Sequence, residues 1–183
     1  MKRYCRMHPN LFRGPKGLVL LASILSFFTI TPGLPAQAPP PGVLVGPNLN
    51  ASIHHAAAAT EIQAKAVADT ARAWARRADS TFYRADNFQS DLGLIQVQFS
   101  GLRARFNWMG YLVLQTGRPY GANVTAELDA GLVLILEPLV FLENQYAAGV
   151  LDRAAIVRAC RLVDEAMREW EYTLRRNAPR LNF

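Results

Sequence analysis

From residue 50 onward the sequence predicts an all-α fold, an antiparallel four-helix bundle. Three observations carry that expectation. Apolar residues recur at alternating gaps of three and four through four segments of roughly 25 residues each. Short polar or Gly/Pro-bearing breaks separate the segments, so sequence neighbours turn back on one another. The composition, 51% hydrophobic and 19% charged, is too apolar for a disordered chain and too charged for a polytopic membrane protein.

The first 38 residues read as a secretory signal peptide. Lys2, Arg3, Arg6, Arg13 and Lys16 precede a charge-free apolar run, Leu18 to Ile30, and Ala36-Gln37-Ala38 supplies a small-residue cleavage site. The run is 13 residues long, short of the ~20 that a spanning helix needs. Pro39 directly after the site disfavours cleavage there, which leaves three outcomes open: cleavage after Ala38, cleavage elsewhere, or a leader kept as a tether. No paired arginines precede the run, which favours the general export route over the twin-arginine one. Residues 39–49 form a Pro/Gly-rich linker, and residues 50–183 form the bundle domain.

The formal charge of +6 belongs mostly to the leader. Beyond residue 38 the chain has 15 basic and 14 acidic residues, a net charge of +1. A nucleic-acid binder needs a concentrated basic footprint, and the body has none. Arginine outnumbers lysine 14 to 1 in the body, with Lys65 alone, which suggests a GC-rich bacterial genome. The glycosylation-type triplets at Asn50 and Asn123 are therefore read as helix caps.

The first helix carries Ile53, Ala57, Thr60, Ala64, Val67, Ala71, Trp74 and Ala78 on one stripe, with Glu61 and Lys65 paired outside. The second carries Phe88, Leu92, Ile95, Phe99, Leu102, Phe106, Met109 and Val113. Its start is expected near Asp86-Asn87, with Asn87 or Ser90 as cap. Ile95 to Phe99 also alternates as a strand would, and Gly93, Gly101 and Gly110 disfavour a helix. The seven-residue pattern persists for 26 residues against about six, so helix is expected. Thr116 to Gly121 reads as a loop. Asn123 then caps a third helix through Val124, Leu128, Leu132, Ile135, Leu139, Leu142 and Tyr146, kinked at Pro138 and ended by Gly149. Asp152 caps the fourth, through Ile156, Cys160, Val163, Met167, Trp170 and Leu174. Asp164/Arg168 and Glu171/Arg175 are its outward ion pairs, and Asn177 and Pro179 stop it.

Motifs for chemistry are missing. The body has only His54 and His55, without the Glu-x-x-His pairs of a di-iron bundle, and it has no zinc, haem-attachment, nucleophile-elbow or phosphate-loop motif. No catalytic or metal-ligating residue is assigned, and the chain is read as leaning away from an enzyme. Cys160, the only thiol beyond the leader, sits on the core stripe and is read as inert. A cofactor-binding alternative is a b-type haem held by an inward His54 and by Met109 or Met167.

The expected function is interaction with a protein partner or a second copy, in the periplasm or cell envelope. The surface assigned to it is Val133, Leu136, Glu137 and Val140, on the third-helix face opposite the core stripe. That face should be polar and is instead apolar, with Asp129 and Glu143 at its ends. The competing explanation is that the linker or a C-terminal segment folds over it. Trp108 and Tyr111, off the second helix's stripe, are further partner-surface candidates.

Overall fold

The computed structural model of the protein describes residues 48–181. The leader assigned to residues 1–38 and all of the linker assigned to residues 39–49 except Asn48 and Leu49 lie outside them, and Leu49 already belongs to the first helix. Four α-helices follow in order: α1 Leu49–Ala78, α2 Ala85–Leu114, α3 Pro119–Ala147 and α4 Arg153–Asn177, then a 3-10 turn at Ala178–Arg180. There is no strand among the described residues.

Each helix packs on two neighbours, α1 and α3 both lying between α2 and α4. The cross-helix partners show the directions. Gln63 meets Gln98 and Arg77 meets Asp91, so α1 and α2 run oppositely. Glu61 with Arg175 and Arg72 with Asp164 do the same for α1 and α4. Gln96 with Glu143 orients α2 against α3 when read with the Gly110–Thr125 approach. Trp170 on Leu128 and Tyr120 on Asn177 orient α3 against α4.

The stripes read from the sequence form the core. Ile53, Trp74, Ile95, Leu102, Met109, Ile135, Leu142, Ile156, Cys160, Met167 and Leu174 have no solvent exposure, and Phe99, Phe106 and Trp170 are buried. The buried face of α1 is mostly alanine, which lets α2 and α4 approach its backbone closely. Its one polar member, Thr60, donates to the Ala56 carbonyl at 2.7 Å, so burial leaves no hydroxyl unsatisfied. In α2 the strand alternative fails where it would have to work. Ile95 and Phe99 are buried while Val97, between them, is 69% exposed. A strand would put all three on one face; a helix splits them.

Several boundaries and placements differ from the sequence reading. α2 begins at Ala85, and Asn87, in its first turn, reaches back to accept the Arg84 backbone N–H at 3.1 Å. α3 begins at Pro119 rather than after Asn123. Proline suits the first helical position, because its missing N–H is one the helix would leave unpaired anyway. At the start of α1, Asn48 rather than Asn50 precedes the helix. α3 runs unbroken through the buried Pro138. Tyr146 is exposed, its ring set edge-on to Phe88. Asp152 caps α4 as expected, accepting the Ala155 N–H at 3.0 Å, and Gly149 takes the positive φ of 67° that follows α3. Beyond α4 the chain folds back. Leu181 is fully buried, and its carbonyl lies where a Cβ on Gly121 would fall.

Candidate interaction surfaces

α3 carries four acidic residues and no basic one. Its buried face contains Val124, Leu128, Leu132, Ile135, Pro138, Leu139 and Leu142. At about 100° per residue, Val133, Leu134, Glu137 and Phe141 fall within one outward sector. Leu134 is 69%, Val133 56% and Phe141 39% exposed. Ala126, Ala130 and Glu137 are exposed beside them. Glu137 thus stands in the middle of an apolar strip and makes no ion pair among the described residues.

Leu136 and Val140, assigned to this surface from the sequence, are half-buried, and Leu136 packs against the core. They sit on the flank turned toward α2, where Glu143 accepts a hydrogen bond from Gln96 at 2.8 Å. Leu134 and Phe141, which the sequence reading passed over, are the more exposed apolar members. The described C-terminal turn packs on α4 and α1.

Trp108 and Tyr111 are half-buried and stacked, ring centroids 5.5 Å apart and planes 18° from parallel. Trp108 walls a groove of about 470 Å³ between α1 and α2. Ala51, Ser52, His55, Ala56 and Ala59 line one side, Arg105 and Trp108 the other. The alanines give the groove its depth, while His55 and Arg105 are exposed. A second groove of about 360 Å³, between the start of α3 and the end of α4, is lined by Tyr120, Asn123, Glu127 and Arg176 among others.

Two buried polar clusters serve the fold. At the α1–α2 corner Trp74 Nε1 donates to the Tyr83 hydroxyl at 2.5 Å, and that hydroxyl donates to Asp91 Oδ2 at 3.2 Å. Arg77 closes the other side of the carboxylate, Nε and Nη2 reaching Oδ1 at 3.1 and 2.5 Å. Burial, joined by the charge of Asp91, raises the Tyr83 hydroxyl far above its ordinary value even against the Trp74 hydrogen bond. Burial likewise pushes the Cys160 thiol up to about 12, with Asp91 adding to the shift and Arg77 opposing it. A thiol held there is no nucleophile at neutral pH. Asp164 was expected to face outward with Arg168. It is buried between α1 and α4, gripped by Arg72 Nη2 at 2.9 Å and by Arg168 Nη2 at 2.7 Å. Burial alone would raise its carboxyl, but the hydrogen bonds from the two arginines outweigh it and hold the group below its ordinary range.

His54 and His55 are both exposed, whereas Met109 and Met167 are fully buried. A haem between them would require His54 to turn into a core that it faces away from. No group of three or more His, Cys, Asp and Glu residues is placed to hold a metal among the described residues.

No protein-family model matches the chain, and no curated protein or solved structure matches it.

Proposed function

We propose that the body acts as an exported, non-catalytic protein-binding bundle, with the outward face of α3 as its docking surface. The observation that carries this reading is the exposure of Val133, Leu134 and Phe141 around Glu137. In a four-helix bundle the outward face of each helix meets water and is ordinarily polar. An apolar strip there gains free energy from being covered, roughly 25 cal/mol per Å² removed from water. No helix among the described residues is long and apolar enough to cross a membrane. Export rests on the order of charges, apolar run and cleavage site in residues 1–38.

The test is a photo-crosslinking amino acid placed at residue 134, 141 or 65 in the producing cell. The reading expects adducts of discrete mass from 134 and 141 and none from 65, which lies on exposed α1 surface. An adduct of twice the chain mass would identify a second copy as the partner. Absence of adducts at all three positions refutes the reading. A reporter fused after residue 50 that is active only in the cytoplasm would remove the export half.

A further inference from the structure

The charge on α3 has one sign only. The helix contains Glu127, Asp129, Glu137 and Glu143 and no lysine or arginine. Glu127, Asp129 and Glu137 are exposed, and none of the four makes an ion pair among the described residues. On the other helices Glu61, Asp69, Asp91, Asp164 and Glu171 each pair with an arginine. The acidic surplus is local, because the chain beyond residue 38 has 15 basic and 14 acidic residues. Glu137 is the decisive member, standing among the exposed Val133, Leu134 and Phe141. A partner that covers those three side chains also takes the Glu137 carboxylate out of water. A carboxylate so covered strongly opposes docking unless a cation meets it.

We propose that the partner of this face is a cationic amphipathic helix of another protein, with an arginine or lysine set in its apolar stripe opposite Glu137. The inference rests on the reading of α3 as a docking surface and adds the chemistry of what docks. The dimensions suit a helix. From Ala126 to Phe141 the strip runs about 22 Å at 1.5 Å per residue, and it is one helix face wide. At its start the exposed Ala126 and Ala130 let a second backbone approach closely. Glu127 and Asp129 flank that end on either side, where they meet cations at the partner's edges. A second copy fits worse. A two-fold axis through the middle of the strip sets Glu137 against Glu137, and like charges facing across an interface suppress the pairing.

The test measures binding of a fluorescent, stapled helical peptide to the full chain by anisotropy. The peptide has about 18 residues, leucine at every third and fourth position and arginine elsewhere. A counterpart carries glutamate in place of arginine. The arginine peptide is expected to bind and the glutamate peptide not to. Glu137→Arg should weaken binding about tenfold and Glu137→Gln by less, with melting checked for both. Glu169→Arg, on the exposed face of α4, should leave binding within about twofold of wild type. No binding of the arginine peptide, equal binding of the two peptides, or equal losses from Glu137→Arg and Glu169→Arg each overturn the proposal. The photo-crosslinker at residue 141 supplies the second arm in the producing cell. Adducts that weaken with Glu137→Arg, and whose linked segment is a basic amphipathic helix, support it. Adducts that persist undiminished, or that have twice the chain mass, overturn it while leaving α3 a docking surface. Absence of adducts from the wild-type face removes both readings.

Discussion

Gly93 and Gly131 both lie inside helices, in α2 and α3, and both are half-buried. Replacing either with alanine adds one methyl group and removes the entropic penalty of glycine, a gain of about 1 kcal/mol in a helix interior. Propensity alone gives the two substitutions the same sign. Their surroundings give them opposite signs. A Cβ on Gly93 meets nothing within 4 Å. A Cβ on Gly131 falls 2.9 Å from Cδ1 of Trp170, nearer than real Cβ contacts come. Trp170 is poorly placed to move aside. It is buried, its Nε1 donates to the Leu128 carbonyl at 2.7 Å, and its ring meets Phe106 edge-on at 5.7 Å. Overpacking of this kind costs roughly 1–3 kcal/mol, which equals or exceeds the propensity gain. Gly93→Ala should therefore stabilise by up to about 1 kcal/mol. Gly131→Ala should be neutral to destabilising by about 2 kcal/mol. Urea titrations followed by circular dichroism measure both. If Gly131→Ala stabilises as much as Gly93→Ala, the packing of Trp170 against the α3 backbone is not as described.

Three further outcomes follow from the buried polar groups. Tyr83→Phe leaves Trp74 Nε1 without its acceptor and Asp91 without one donor, and should cost about 1–3 kcal/mol in chemical denaturation. Cys160 has a folded-state pKa raised to about 12, so its stabilising contribution is complete below the ordinary thiol value of about 8.5 and is lost as pH rises from there toward 12. Cys160→Ala should lower stability at pH 7 through lost packing yet flatten the alkaline limb; an unchanged slope above pH 9 refutes the assignment. Asp164 has a lowered pKa, so its contribution is present above the ordinary carboxylate value of about 3.9 and disappears as pH falls through the folded-state value. Asp164→Asn should be less stable than wild type at pH 7, with the gap closing in acid; a gap independent of pH refutes the clamp.

The bundle was legible in the sequence because each helix has one wide apolar stripe and helical period alone places it. The residues assigned to the core stripes of α1, α2 and α4 are buried, and only Tyr146 departs on α3. Helix starts were less legible. The signals sought were Asn and Ser caps, whereas Arg84 and Arg118 precede α2 and α3. Neither arginine carries a capping signature, and Pro119, between Gly117 and Gly121, reads as part of a loop although it takes the first helical position. Asp164 was misplaced for a different reason. Its i+4 partner Arg168 is visible in the sequence, but Arg72 lies 92 residues away and reaches it only through the α1–α4 pairing.

The same distinction separates the apolar strip of α3 from its exact members. That the face opposite the core is apolar follows from spacing, since Val133, Leu136 and Val140 recur at gaps of three and four. Which apolar residues reach solvent does not. A helix in a four-helix bundle is covered on its inner side and again on both flanks by its two neighbours, so the free sector is narrower than half of the wheel. Rotation toward α2 takes Leu136 and Val140 onto a covered flank and leaves Leu134 and Phe141 beside Glu137 in the free one. The consequence reaches the choice of probe. Charge placed at Leu136 perturbs core packing together with docking, and a lost complex would then have two explanations. Charge placed at Leu134 meets water in the folded chain. Leu134→Glu should leave stability within about 0.5 kcal/mol of wild type. If its crosslinks vanish while its melting is unchanged, docking is the property that was lost. If stability falls by more than that, the side chain is packed and the outward assignment of this face is wrong.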